Sequence, residues 1–380
     1  MTTKKGGLGV PLSTSSAKEK KMRSLAAFLV GLAVLATACG SGSGQSGSGS
    51  RGAQIALLLP DTKTARYETQ DRPTFERRVH QLCPDCEVLY SNADQDAAKQ
   101  QSQAEAALTN GADVLVLDAV DFKSAASIVA RAKQSGVPVV SYSRLVLDAD
   151  VDYYISFDSE RVGRLQAQAL LDALKSAGKA NGTIVMINGA PTDNNSTLLK
   201  QGAHSVLDGS GLKIAQEFDT PDWSPDKAQQ QMEQALTNLG RDQIAGVYAA
   251  NDGTAGGAIA AMRGAGVDPL PPVTGQDAEL AAIQRILAGE QYMTVYMAIK
   301  IQAEVAAEVA IALARGEQPR TGLVNSTVNN NLKDVPSILL TPIAVTRENV
   351  EDTVIRDGFW TVDQVCTAGF AAACEAVGLT

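Results

Sequence analysis

Residues 113–144 read DVLVLDAVDFKSAASIVARAKQSGVPVVSYSR. Asp113–Leu117 is a short apolar run, right for a strand buried on both faces. Ser124–Gln134 is helical, and Val137–Tyr142 is a second short run of the same kind. Strand, helix and strand in so few residues predict a βαβ unit with parallel strands. The alternation extends in both directions. Upstream lie strands at Ala53–Leu59 and Glu87–Tyr90 and helices at Asp71–Gln81 and Ala97–Thr109. Downstream the cycle runs Glu160–Leu174, Thr183–Ile187, Thr197–Leu207, Lys213–Phe218, Pro225–Leu239, Ile244–Ala249 and Gly256–Arg263, helix first. The expected class is α/β, with doubly wound parallel sheets.

The chain has 380 residues, which at about 150 residues per domain suggests two domains. With 44% apolar and 20% charged residues it can bury a core, so disorder throughout is excluded. The formal charge is −9, and no basic cluster survives beyond the N-terminus, so nucleic acid is not an expected partner. Two histidines, His80 and His204, make a histidine-rich metal site or a histidine-based triad a poor expectation, and no cofactor is implied.

Residues 1–24 carry six bases and one acid, and the apolar run Leu25–Ala38 follows with 14 residues. A spanning helix needs about 20, so residues 1–38 are expected to be a secretory signal. Ala36-Thr37-Ala38 before Cys39 resembles a bacterial lipobox, with the usual leucine one place early at Leu35. Cys39 is then the expected site of lipidation, holding the protein to the outer face of the cell membrane. Without residues 1–38 the 33 bases become 27 and the 42 acids 41, leaving 342 residues with a charge of −14. The Gly/Ser tract over 40–52 reads as a flexible tether. The Gly42-x-Gly44-x-x-Gly47 inside it matches a dinucleotide fingerprint, but no strand precedes it and no helix follows. The four other cysteines fit export: Cys83 with Cys86, and Cys366 with Cys374, are the simplest pairs in an oxidising compartment. The C-P-D-C spacing also matches a redox motif, without the βαβ start that would support it.

Parallel sheets bind ligands beyond the carboxyl ends of their strands. The tips there carry Arg66 and Tyr67, Ser143 and Arg144, Asp193 and Asn195, Trp223, Asn251, and Asp277. Carboxylates accept, guanidinium forks donate and amides do both, as the hydroxyls of a neutral polyol require. Tyr67 and Trp223 could hold the flat C–H faces of a pyranose between them. Each Asn or Asp could equally be a turn former or a helix cap.

Several longer segments carry a family likeness: DADVDYYISFDSERVGRLQAQAL (148–170), APTDNN (190–195), AANDGTAGGAI (249–259), TGQDAELAAIQRI (274–286), MTVY (293–296) and NLKDVPSILLTPI (331–343). From about residue 54 to 359 the chain resembles the periplasmic xylose-binding proteins. They are a pentose-binding branch of the ribose/galactose group of ABC-transporter substrate-binding proteins, with the type I periplasmic-binding fold. The resemblance implies two lobes joined by a three-segment hinge, with crossings near Phe157, Met297 and Asn325. The first lobe would hold 53–157 and 297–325, the second 158–296 and 326–359, and 360–380 would form a disulfide-pinned tail clipping the terminus to a lobe. It implies sugar contacts at Arg66, Tyr67, Arg144, Asp193, Asn195, Trp223, Asn251 and Asp277. Two positions depart from the family: Tyr-Asp-Arg becomes Tyr142-Ser143-Arg144, and Val-Tyr-Lys becomes Val295-Tyr296-Met297. Ser143 bonds a hydroxyl more weakly than a carboxylate does, and Met297 offers an adaptable apolar surface. Either the pocket is shifted away from xylose or the ligand stays a pentose; the residues leave both open. The expected role is capture of a monosaccharide by a non-enzymatic monomer and delivery to an ABC permease with its ATPase. The alternative is a sensor docking on a membrane receptor or kinase.

Overall fold

The structure is a computed structural model describing residues 52–379; the expected signal over 1–38, Cys39 and the tether up to residue 51 lie outside the described residues. The strands are β1 (Gln54–Leu59), β2 (Glu87–Asn92), β3 (Val114–Leu117), β4 (Val139–Tyr142), β5 (Tyr153–Phe157), β6 (Thr183–Asn188), β7 (Lys213–Asp219), β8 (Ile244–Ala249), β9 (Met293–Tyr296), β10 (Ser326–Asn329), β11 (Asp334–Leu340) and β12 (Ile343–Thr346). The helices are α1 (Arg72–Leu82), α2 (Ala97–Thr109), α3 (Ala126–Gln134), α4 (Ser159–Ser176), α5 (Asn194–Leu207), α6 (Pro225–Leu239), α7 (Asp252–Gly264), α8 (Leu280–Leu287), α9 (Ile299–Ala314), α10 (Val362–Val365) and α11 (Ala371–Glu375).

The first sheet has the order β10-β11-β5-β4-β3-β1-β2 and is parallel except for the edge strand β10. The second is built on β7-β6-β8, all parallel. It continues through bridges at Val273 and Gln276 to β9, with β12 antiparallel at the edge. Each sheet is covered on both faces, which is why its central strands β1, β3, β6 and β8 are buried without alternation. In the first, Ile55, Leu57 and Leu59 pack with α1 and α9, while Ala56 and Leu58 pack with α2 and α3. In the second, Ile184 and Met186 face α4, α5 and α8, and Val185 and Ile187 face α6 and α7. The α4–α5 pair crosses closely at Gly163 and Gly202, where a Cβ would meet the Leu199 and Glu160 carbonyl oxygens at 2.0 Å.

The chain passes from β5 to α4 and leaves the first sheet for the second. It returns between β9 and α9, which packs against α1. The expectation that 326–359 lies wholly in the second lobe is corrected here. β11 pairs in parallel with β5, Ser337 opposite Tyr154 through Leu340 opposite Phe157, and β10 pairs with β11. Without them the β5 edge would expose unpaired backbone groups. The third crossing is therefore at Leu340–Ile343 rather than near Asn325. Two disulfides close, Cys83–Cys86 and Cys366–Cys374. No helix among the described residues is long and apolar enough to cross a membrane, and none of them group as a metal site.

Candidate functional site

The strand ends of the two sheets supply one cavity. Arg66 and Tyr67 follow β1, and Ser143 and Arg144 follow β4. Asp193 and Asn195 follow β6, Trp223 follows β7, Asn251 follows β8 and Met297 follows β9, while Asp277 sits on the bridging segment before α8. All ten line the same space, together with Thr64, Ser159, Leu199 and Gln276.

Both guanidinium groups are fixed by their own lobe. Arg66 donates through Nε and Nη2 to the two Asp71 oxygens at 2.9 and 2.8 Å, and through Nη2 to Gln302 Oε1 at 2.8 Å. The Tyr142 hydroxyl donates to the same Asp71 carboxylate, and Gln302 donates to the Ile155 carbonyl at 3.1 Å. Nη1 is left facing Asp277 Oδ1 of the other lobe at 3.8 Å. Arg144 donates through Nη1 to the Ala119 carbonyl at 3.0 Å, and through Nη2 to the Tyr67 hydroxyl at 3.3 Å. Its Nε lies 2.9 Å from Asp193 Oδ2 and 3.4 Å from Asp118 Oδ1 without a hydrogen bond to either. A fork held on three sides keeps little rotamer freedom to lose on binding.

The second lobe presents its groups at helix starts. Asp193 caps α5, accepting from the Asn195 amide at 2.8 Å, and its Oδ2 accepts from Trp223 Nε1 at 3.1 Å. Asn251 caps α7, its Oδ1 accepting from the Thr254 amide at 2.9 Å. Capping and cavity lining are thus the same job for these two residues. Each places a polar side chain at the positive end of a helix. Trp223 lies over Gly189, where a Cβ would fall 2.0 Å from the indole Cη2; any side chain there would displace the ring.

Backbone strain is concentrated at this cavity. Ser143, Trp223 and Asp277 have φ of 58°, 51° and 94°, and Asp222 and Ala278 beside them are also left-handed. Such residues cost about 1–3 kcal/mol each and persist where neighbours over-determine them. The Ser143 carbonyl accepts from Ser156 Oγ at 2.7 Å, from the Tyr154 hydroxyl at 3.3 Å and, across the cleft, from Asn195 Nδ2 at 2.8 Å. The Phe122 amide also reaches across, to the Thr192 carbonyl at 3.1 Å. The cleft is closed in this structure.

Acids outnumber bases around the cavity, and burial lifts several of them. Burial raises Asp118 well above the usual carboxylate range against the opposing pull of Arg144 and Arg66. It raises Asp61 against Arg144, and Asp277 against Arg66. Burial works against the charge of Arg144, but Asp193, Tyr67, Asp118 and Asp61 hold it firmly protonated. The arrangement offers fixed donors, carboxylate acceptors, amides and two aromatic rings, which is a surface for hydroxyl groups on a flat ring.

A model of the periplasmic binding protein domain matches residues 55–318. The chain is 40% identical to the D-xylose-binding periplasmic protein of Escherichia coli (strain K12) over 310 residues, 80% of this chain and 90% of that one. This chain is a member of the periplasmic binding protein family. It is also 34% identical to the multiple sugar-binding periplasmic receptor ChvE of Rhizobium radiobacter, covering 82% of this chain and 92% of that one. Among solved structures it is similar to an ABC transporter solute binding protein from Clostridium phytofermentans with bound β-D-glucose. The TM-score there is 0.76 with 28% identity, over 82% of this chain and 99% of that one.

In this periplasmic binding protein Asp252 does not reach the cavity. Its Oδ1 accepts from Gln291 Nε2 at 2.7 Å and its Oδ2 from Thr294 Oγ1 and the Glu279 amide, both at 2.9 Å. It ties α7 to the segment before α8. The sequence reading missed Asp61, Asp71, Asp118 and Gln302, which hold the two arginines. Asp118 directly follows β3, so the strand-end rule applied to that strand finds it. Gln302 lies mid-helix in α9, 236 positions from Arg66, and carries no local signal.

Proposed function

We propose that this periplasmic binding protein captures a monosaccharide, a xylose-like pentose, between its lobes and delivers it to an ABC permease and its ATPase. One observation carries the reading: both lobes contribute pre-fixed polar groups to the same closed cavity. In the proposed complex the sugar hydroxyls accept from Arg66, Arg144 and Asn195 and donate to Asp193 and Asp277. Tyr67 and Trp223 cover the ring faces. Lipidation of Cys39 would tether a monomer to the outer face of the cell membrane. Ser143 and Met297 remove one acid and one base from the family pattern together. The rim of the pocket is left less polar and the site charge unchanged.

The names of the relatives support a sugar, and the receptor name of the Rhizobium radiobacter protein favours a second role, presenting the closed form to a sensor. Residues 40–380 titrated calorimetrically with xylose, arabinose, glucose and myo-inositol test the ligand. Xylose binding at one site per chain with a micromolar or tighter constant is the expected result. At 100 times that constant it should add about 2.7 kcal/mol of stability. Tight binding of another sugar with none of xylose would make Ser143 and Met297 the specificity switch; no binding of any sugar would overturn the reading.

A further inference from the structure

The turn that carries Asp277 is strained and is held from outside the cavity. Asp277 and Ala278 are consecutive residues with φ of 94° and 50°. Their neighbours pin the backbone from one side. The Asp277 amide donates to the Val295 carbonyl at 2.9 Å, and the Ala278 amide to Thr294 Oγ1 at 3.2 Å. The Ala278 carbonyl is taken from the other side by Trp360, whose Nε1 donates to it at 2.8 Å. Trp360 does not line the cavity. It packs edge-on against Phe359, and Phe359 against Tyr296, with ring centroids 5.4 and 5.1 Å apart. Trp360 is also the first residue of the C-terminal tail. Downstream, Thr361 caps α10, Gln284 Nε2 of α8 donates to the Val365 carbonyl at 3.2 Å, and the Cys366–Cys374 bond closes the tail. Val365, Cys374 and Leu379 are buried in the same core as Ala278, Ile283 and Leu287.

We propose that Trp360 is a positioning residue for the sugar site, and that the disulfide-closed tail serves the binding affinity by holding the Asp277–Ala278 turn. The proposal rests on the reading of the cavity as a sugar site. Two consecutive left-handed residues other than glycine persist only where contacts on both sides over-determine them. Removing the indole donor lets the turn relax, and relaxation of Ala278 moves the Asp277 carboxylate away from Arg66 and the ligand.

The test is a double-mutant cycle on the full secreted chain, read by calorimetry with whichever sugar the wild type binds. Trp360→Phe keeps an aromatic ring and removes the N–H. It is expected to weaken binding about tenfold, the worth of one hydrogen bond. Asp277→Asn is expected to weaken binding on its own. If Trp360 acts through Asp277, adding Trp360→Phe to Asp277→Asn costs less than twofold more; if it acts on the fold at large, the two losses multiply. Hydrogen exchange gives a readout without any sugar: amides 277–279 should exchange faster in Trp360→Phe while those of β6 do not. Should Trp360→Phe fail to fold, the pair Cys366→Ser and Cys374→Ser loosens the tail without touching the turn, and should show the same dependence on Asp277. Multiplying losses, or unchanged affinity and exchange, overturn the proposal and leave the sugar reading standing. A wild type that binds no sugar removes the sugar reading itself.

Discussion

Gly189 shows how one missing atom shapes the cavity. Nothing about its backbone demands glycine; the indole of Trp223 occupies the place of its Cβ. Gly189→Ala should push the ring toward the cavity. The expected outcome is a fall in sugar affinity of more than tenfold with little change in urea midpoint, and a shifted tryptophan emission. Unchanged affinity would mean that Trp223 does not cover the ligand. Nine of the ten cavity-lining candidates were read from the segments beyond apolar runs, where an α/β sheet presents its side chains; Met297 came only from the family likeness. The residues that fix them were not. Asp71 and Gln302 lie in helical segments, and their role appears only when Arg66 is placed between them. The backbone strain at Ser143 and Ala278 was also invisible, since serine and alanine give no hint of a positive φ, whereas aspartate at 277 is a residue type that tolerates one.

At the scale of elements, α5 and α7 each begin inside the site, so stability and binding share residues. Asn251 separates the two. Asn251→Ala should lose the cap of α7 at about 1 kcal/mol and also the sugar contact. Asn251→Ser should keep most of the cap and lose the contact. Urea denaturation beside calorimetry would show the two variants differing in stability but matching in lost affinity. Equal stability would place the worth of Asn251 entirely in the ligand. The strand–helix alternation was legible up to α7 because its apolar runs are short and uniform. β10 and β11 were misplaced because their burial is mixed, and because β11's partner β5 lies some 180 positions away in the register while β10 pairs only with β11.

Across the whole molecule, the acidic interior predicts a pH dependence. Burial, with Asp252 and Asp277 beside it, lifts Glu279 to about 8, and burial lifts Asp252 to about 7 against the charge of Arg285. Asp61, Asp118 and Asp277 are raised too. Between the ordinary carboxylate value near about 4 and these raised values, the folded chain binds more protons than the unfolded one. Stability therefore falls as pH rises through that window. His204 acts the same way: burial alone would lower it, but hydrogen bonds to Asp208 and Glu217 raise it, so its contribution is lost as pH rises. Without sugar, the urea midpoint should be higher at pH 5 than at pH 8, and Glu279→Gln should flatten the slope. A midpoint that climbs from pH 5 to pH 8 would show that these carboxyls are ionised in the fold.

The placement of β11 beside β5 has a consequence for what the far end of the chain closes. The first sheet is not complete without residues near 340, because β11 is the parallel partner of β5. The second cannot finish until β12 joins β9 a few residues later. One short stretch, from Ser337 to Thr346, thus seals both sheets. Cutting the chain ahead of it would open two edges at once, so the end of the polypeptide works as a single clasp on two covers.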